Sequence, residues 1–299
     1  MEVIKNISII FISIFLESLP FLLLGAIISA IIEHFVSNET IAKIIPKNKI
    51  LGSVVGIFLG FFIPACDCAV IPVTKRLLKK KVPIHVAVSF MLSSPIINPV
   101  VLLSTYSAFY NTNKEIFYYR LLLGILIALL VGIILGIIFN KKEIVKDNNV
   151  CCEECHHHHH EKENGFISIM SHTSEDLYDV VKFLMFGALI ASLIQVLMPR
   201  SVLIVFNNNS ILSIIVLSLF AYLISLCSTS DSFVGKSLLT IFSKNSILAY
   251  LLLGPMIDIK NTVVLLGNFN KKFVISLISL IFVLVFIASM VVKLWERSF

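Results

Sequence analysis

The sequence predicts an all-α polytopic membrane protein. About eight transmembrane helices, or 8–10 with re-entrant segments, are expected in two repeated halves. Three observations carry this. First, 58% of the residues are hydrophobic and only 14% are charged, with a mean hydropathy of +0.97; a soluble domain carries roughly 25% charged residues. Second, apolar runs near the roughly 20 residues needed to cross a bilayer recur along the chain. Third, motifs of the first half return in the second at a near-constant offset. Phe21-Leu22-Leu23-Leu24-Gly25-Ala26-Ile27-Ile28 matches Phe183-Leu184-Met185-Phe186-Gly187-Ala188-Leu189-Ile190 at an offset of 162, with five of eight positions identical. Glu17 meets Asp179 at that offset, Cys66 meets Cys227 at 161, and Pro95 and Asn98 meet Pro255 and Asp258 at 160. Four spans per half would make the repeats parallel; an extra re-entrant span in each would make them inverted. Either way, the site is expected at the repeat interface, on discontinuous helices.

In chain order, the run from Ile7 to Ile32 is too long for a signal-peptide core and lacks a small-residue cleavage pattern, so it reads as a retained first span. The expected spans are 7–35, 50–66, 84–110, 117–140, 176–198, 211–228, 246–267 and 272–293. Segments 68–82 and 232–244 are too polar to span and read as short helices at, or dipping into, one face. The expected division is a first membrane repeat over 1–140, a Cys/His-rich loop over 141–172 and a second repeat over 173–299. Orientation rests on Lys and Arg in the connections. The cluster Lys75, Arg76, Lys79, Lys80 and Lys81 places its side, the N-terminus and the 141–172 loop in the cytosol. Arg120 is assigned to an outer connection. The net charge of +6 sets orientation and forms no nucleic-acid patch.

The stretch Phe62-Ile63-Pro64-Ala65-Cys66-Asp67-Cys68-Ala69-Val70-Ile71-Pro72 sets two thiols, a carboxylate and two prolines at membrane depth. Proline breaks the helical ladder. Freed backbone is tolerated there only when protein or a water-filled cavity covers it, and an intramembrane ionisable group marks a functional site by default. Thiolates select Cu(I), Zn(II) and related species; trivalent arsenic is similarly thiophilic. Cys66 and Cys68 converge only on an irregular backbone, which Pro64 and Pro72 supply. Cys227 either joins them as a third sulfur or is a small buried hydrophobe, a common role for free cysteine.

Ser93-Ser94-Pro95-Ile96-Ile97-Asn98-Pro99 and Gly254-Pro255-Met256-Ile257-Asp258-Ile259-Lys260-Asn261 interrupt the third and seventh expected spans. Paired interruptions in corresponding positions point to a transport site. The alternative is a structural kink with Asp258 neutralised by Lys260. Ser228, Thr229 and Asp231 follow Cys227 as hydroxyls and a carboxylate at a half-helix start; Ser230 reads as an N-cap. Asp231, Glu17, Asp179 and Lys182 are candidates for carrying a coupling proton.

The long connection holds Cys151, Cys152, Cys155 and the run His156, His157, His158, His159 and His160. Cys-x-x-Cys spacing followed by imidazoles signals soft or borderline metals, against the plainer reading of a solvated linker. The six cysteines, grouped with histidine, point to reduced thiols and metal chemistry over a disulfide framework. Gly235-Lys236-Ser237 imitates the end of a phosphate-binding loop, but the required earlier glycine is Ser230 and no strand precedes it. Driving force must then come from ion or potential gradients or from a partner.

Pro64-Ala65-Cys66-Asp67-Cys68, Ser94 through Pro99, Cys227 through Asp231 and Gly254 through Asn261 together resemble the predicted-permease family, which includes organoarsenical efflux permeases. The Cys-x-Cys pair and the Cys/His-rich loop are most similar to its branch described as copper/zinc efflux transporters. The resemblance covers nearly the whole membrane part and implies a bacterial inner-membrane exporter; it does not fix the ion. The expected function is secondary export of Zn(II) or Cu(I). One alternative is efflux of trivalent (organo)arsenicals through the same thiols. Another is a membrane thiol oxidoreductase, opposed by the Cys-x-Cys spacing and the lack of a quinone or haem signature; a non-transporting subunit of a larger complex is a further alternative. No enzymatic activity and no required cofactor are expected; transported Zn, Cu or As species bind as substrate. The expected partners are the lipid bilayer and a metal or metalloid, with a homo-oligomer or a metallochaperone compatible with the chain and nucleic acid not expected.

Overall fold

A computed structural model describes residues 2–35, 46, 48–63, 66–140, 144, 165–197 and 210–298. Among these, every regular element is a helix: α1 Glu2–Phe35, α2 Lys49–Phe62, α3 Asp67–Lys79, α4 Ile84–Ile97, α5 Pro99–Phe109, α6 Lys114–Ile138, α7 Gly165–Leu197, α8 Ser210–Ile224, α9 Ser228–Leu238, α10 Lys244–Met256, α11 Ile259–Asn268 and α12 Lys271–Ser298. The starts of α3, α4 and α5 at residues 67, 84 and 99 are followed in the second half by starts at 228, 244 and 259. Residues 165–172, expected within the central loop, are helical. Cys151, Cys152, Cys155 and His156 through His160 lie outside the described residues.

Local chemistry explains the helix ends. Residues before proline are pushed out of the helical region, and α2 stops at Phe62, ahead of Pro64. Pro99 sits at the first position of α5, where its missing N–H has no cost, and Asn98 Oδ1 accepts from Val100 N at 3.0 Å to cap it. The axis turns by 41° between α4 and α5. At the corresponding break of the second half, Asp258 Oδ1 accepts from Asn261 N at 2.6 Å and caps α11.

Two helices form the centre. Every residue of α4 is buried, and so is α10 from Asn245 to Met256. Small residues admit this. Along α2, a Cβ on Gly52 would lie 2.6 Å from His85 Nε2, one on Gly56 would overlap the Val86 carbonyl, and one on Gly60 would lie 2.7 Å from Ser93 Oγ. From the other side, a Cβ on Gly136 of α6 would lie 2.8 Å from His85 Cβ. Glycine ladders thus bring α2 and α6 onto α4, the packing that drives association where lipid removes the hydrophobic incentive. α8 and α12 pack on α10, α1 on α7, and α3 on α1, α4 and α11.

Among the described residues, five helical segments are long and apolar enough to cross a bilayer, Val3–Ile28, Lys114–Ile138, Val180–Leu197, Lys244–Asn268 and Lys271–Trp295; the bent pair α4–α5 makes a sixth. This fits a multi-pass membrane protein. The other two expected spans, 50–66 and 211–228, correspond to α2 and α8, of 14 and 15 residues. At about 1.5 Å per residue they fall short of a hydrocarbon core about 30 Å thick.

Candidate functional site

The N-terminus of α3 and the N-terminus of α9 meet. Cys66 is the N-cap of α3 and Cys227 the N-cap of α9, both extended and neither making a side-chain cap hydrogen bond. α9 therefore begins ahead of the expected cap Ser230, which falls within its first turn. Ser228 Oγ donates to Asp67 Oδ1 at 3.1 Å and ties the two helix starts together. Helix N-termini carry the positive end of the backbone dipole, so negative charge is favoured where these two converge.

A cavity of about 210 Å³ opens at this junction. Cys66, Asp67 and Cys68 line it from the first half, Ser225, Cys227 and Lys260 from the second. Ser13, Glu17 and Ser18 of α1 and Gln195 of α7 complete its polar wall. The matching glycines of the two halves hold the long helices close. A Cβ on Gly25 would lie 2.6 Å from Ala69 Cβ on α3, and one on Gly187 would lie 2.9 Å from the Lys260 carbonyl on α11.

Lys260 is 5% exposed and pairs with the fully buried Asp258 at 3.2 Å. Its Nζ also donates to the Ser225 carbonyl at 3.4 Å, and its backbone N donates to Ser225 Oγ at 3.3 Å. Ser225 is held at φ 53°, a left-handed conformation that costs a non-glycine residue on the order of 1–2 kcal/mol and that these contacts stabilise. The neighbours Asp258 and Lys260, two residues apart, would not face each other on a regular helix; the break that ends α10 at Met256 lets them pair.

The remaining predicted residues divide. Pro95, Pro255 and Asp67 line a narrow gap beyond the cavity. Thr229 Oγ1 contacts Cys227 Sγ at 3.5 Å. Asp231 accepts from Tyr250 at 2.9 Å, and its second oxygen points at Gly254, where a Cβ would lie 2.8 Å away. Asn98 and Ser94 line neither space: Asn98 caps α5, and Ser94 Oγ donates to the Ile63 carbonyl at 3.4 Å. Among the described residues, no three His, Cys, Asp or Glu side chains are gathered so as to hold a metal ion.

Arg120 corrects the sequence reading. Placed there in an outer connection, it is 2% exposed within α6. Its Nη1 donates to Thr105 Oγ1 at 2.7 Å and Ser232 Oγ at 2.8 Å, and its Nη2 to the Ser228 carbonyl at 3.4 Å. It therefore ties α5 and α6 to the start of α9, beside Cys227. The acceptors that bury it come from two other helices, α5 and α9. An arginine inside an apolar run was the available signal.

The ArsP_1 family, described as predicted permease, matches residues 3–294. This chain belongs to the predicted permease family. The permease is 42% identical over 284 residues to the UPF0718 protein YcgR of Bacillus subtilis (strain 168), covering 95% of this chain and 96% of the relative. It is 37% identical over 287 residues to a protein of Streptococcus mutans serotype c named putative two-component membrane permease complex subunit, covering 96% and 95%. No solved structure matches it. Family membership supports a transporter in place of an enzyme.

Proposed function

We propose that this permease is a secondary exporter of a thiophilic metal ion, Zn(II) or Cu(I), in a bacterial inner membrane. One observation carries the reading: Cys66, Cys68 and Cys227 line a single cavity at the meeting of two helix N-termini. Soft sulfur ligands favour these ions. Cys66 and Cys68 receive the ion, Cys227 joins them, and Lys260 with Asp67 and Asp258 sets the charge of the wall. The loop 141–172 collects the ion in the cytosol through Cys151, Cys152, Cys155 and His156 through His160. The halves 1–140 and 173–299 are internal repeats; the recurring order of helix starts supports this. The name of the Streptococcus mutans relative supports action together with a second component.

A second reading, efflux of a trivalent (organo)arsenical through the same thiols, is favoured by the cavity volume of about 210 Å³, which exceeds what one bare ion fills. Both readings are tested by flux of Zn(II), Ag(I) as a stand-in for Cu(I), and methylated trivalent arsenic in proteoliposomes. Cys66→Ser or Cys68→Ser is expected to abolish flux of the true substrate while leaving insertion intact. Wild-type flux of all three in both variants refutes the thiol site.

A further inference from the structure

The polar path does not end at Asp67. That carboxylate borders the thiol cavity on one side and, on the other, a gap of about 10 Å³ between α4 and α10. Met91, Met256 and Asn261 line this gap together with Pro95 and Pro255. Both methionines are buried, and Asn261 Oδ1 is buried with no hydrogen-bond partner. Pro95 has no N–H to offer the carbonyl of Met91 four residues before it.

Methionine often only fills irregular space in a core. That role does not account for the amide oxygen. A buried acceptor left unmade costs about 1–3 kcal/mol, and its residue lines the same gap as Met91, Met256 and Asp67. The space is about one water-sized sphere, so it takes a single atom-sized guest and no organic molecule. Thioether sulfur is a soft, uncharged donor, suited to Cu(I).

We infer that Met91 and Met256, with Asn261 Oδ1, form a thioether station for a soft monovalent cation of the Cu(I) class, next in line after the thiol cavity. This rests on the thiol reading above and selects within it: the passage admits a bare soft monovalent ion and excludes an arsenical.

The test uses full-length permease with Cys151, Cys152 and Cys155 changed to serine, reconstituted in proteoliposomes. Ag(I) flux probes the station. Binding of phenylarsine oxide, which needs paired thiols, probes the cavity alone. Met91→Leu with Met256→Leu removes both sulfurs at nearly constant volume. The expected result is a maximal Ag(I) rate lower by about tenfold or more, with phenylarsine oxide binding unchanged. Met91→Cys in the Met256→Leu background is expected to recover most of the rate. A wild-type Ag(I) rate in the double leucine variant overturns the station, as does absence of Ag(I) flux in the parent. Loss of phenylarsine oxide binding in the leucine variant overturns it too, by showing that the methionines only pack the thiol site. The thiol reading fails separately, if Cys66→Ser and Cys68→Ser leave phenylarsine oxide bound.

Discussion

The Lys260–Asp258 pair supports a prediction whose size can be worked from its surroundings. The two charges lie 3.2 Å apart and are 5% and 0% exposed. Removing one partner of a buried pair costs about 3–5 kcal/mol, chiefly because the other charge stays behind. The two single changes should not cost the same. Lys260 also faces Asp67 across the cavity wall, so Lys260→Met leaves two carboxylates without their cation and belongs near the upper figure of about 5 kcal/mol. Asp258→Asn leaves Lys260 with Asp67, and asparagine caps a helix about as well as aspartate. The cap on Asn261 N survives, and the cost belongs near the lower figure of about 3 kcal/mol. The double change removes the Asp258 charge but still leaves Asp67 without its cation, so it should cost about 3 kcal/mol, well below the sum of the singles. The assay is reversible unfolding in mixed micelles by detergent titration, followed by far-ultraviolet circular dichroism. A double-variant cost equal to the sum of the singles, or Asp258→Asn costing more than Lys260→Met, would refute the shared-cation reasoning.

Deleting Cys151–His160 is expected to weaken export at low metal and not at saturating metal, because a tethered chelator raises local supply without forming the path; initial rates across a concentration series check this. Gly56→Ala must push α2 off the Val86 carbonyl and is expected to cost about 1–3 kcal/mol. Gly235→Ala meets only the flexible Leu251 side chain at 3.0 Å and should cost less than about 1 kcal/mol; paired thermal melts in detergent compare them. Arg120→Lys is expected to lose about 2–4 kcal/mol although it keeps the charge. A point-like ammonium cannot reproduce the fork that reaches Thr105, Ser232 and Ser228 together. Full stability in Arg120→Lys would count against that geometry.

Helix breaks were legible because proline and capping residues act locally. Pro64, Asn98-Pro99 and Asp258 sit where α2, α4 and α10 stop or α5 and α11 begin. The short polar helices expected at 68–82 and 232–244 lie at 67–79 and 228–238. The second of these was displaced because Cys227, a poor capping residue by propensity, occupies the cap. What holds it there is contact between distant segments: Ser228 bonds Asp67 and Arg120 bonds the Ser228 carbonyl. Asn98 was expected to face a pathway. Its side chain instead satisfies the amide two residues on, a local demand that competes with any ligand role.

The sequence by itself determined the solvent, the helical class and the places where helices must stop. Composition, run length and proline act over a few residues and need no partner. It also placed two thiols and a carboxylate beside one such stop. Only the tertiary structure decided that Cys227 joins their cavity, that Lys260 pairs with Asp258 and lines that cavity beside Asp67, and that Arg120 is buried within α6. It decided too that Met91 and Met256 line one gap. The physical reason is that each of these depends on how closely backbones approach. Glycines at 25, 52, 56, 60 and 187 permit that approach, but which surface they meet is settled only when the helices pack.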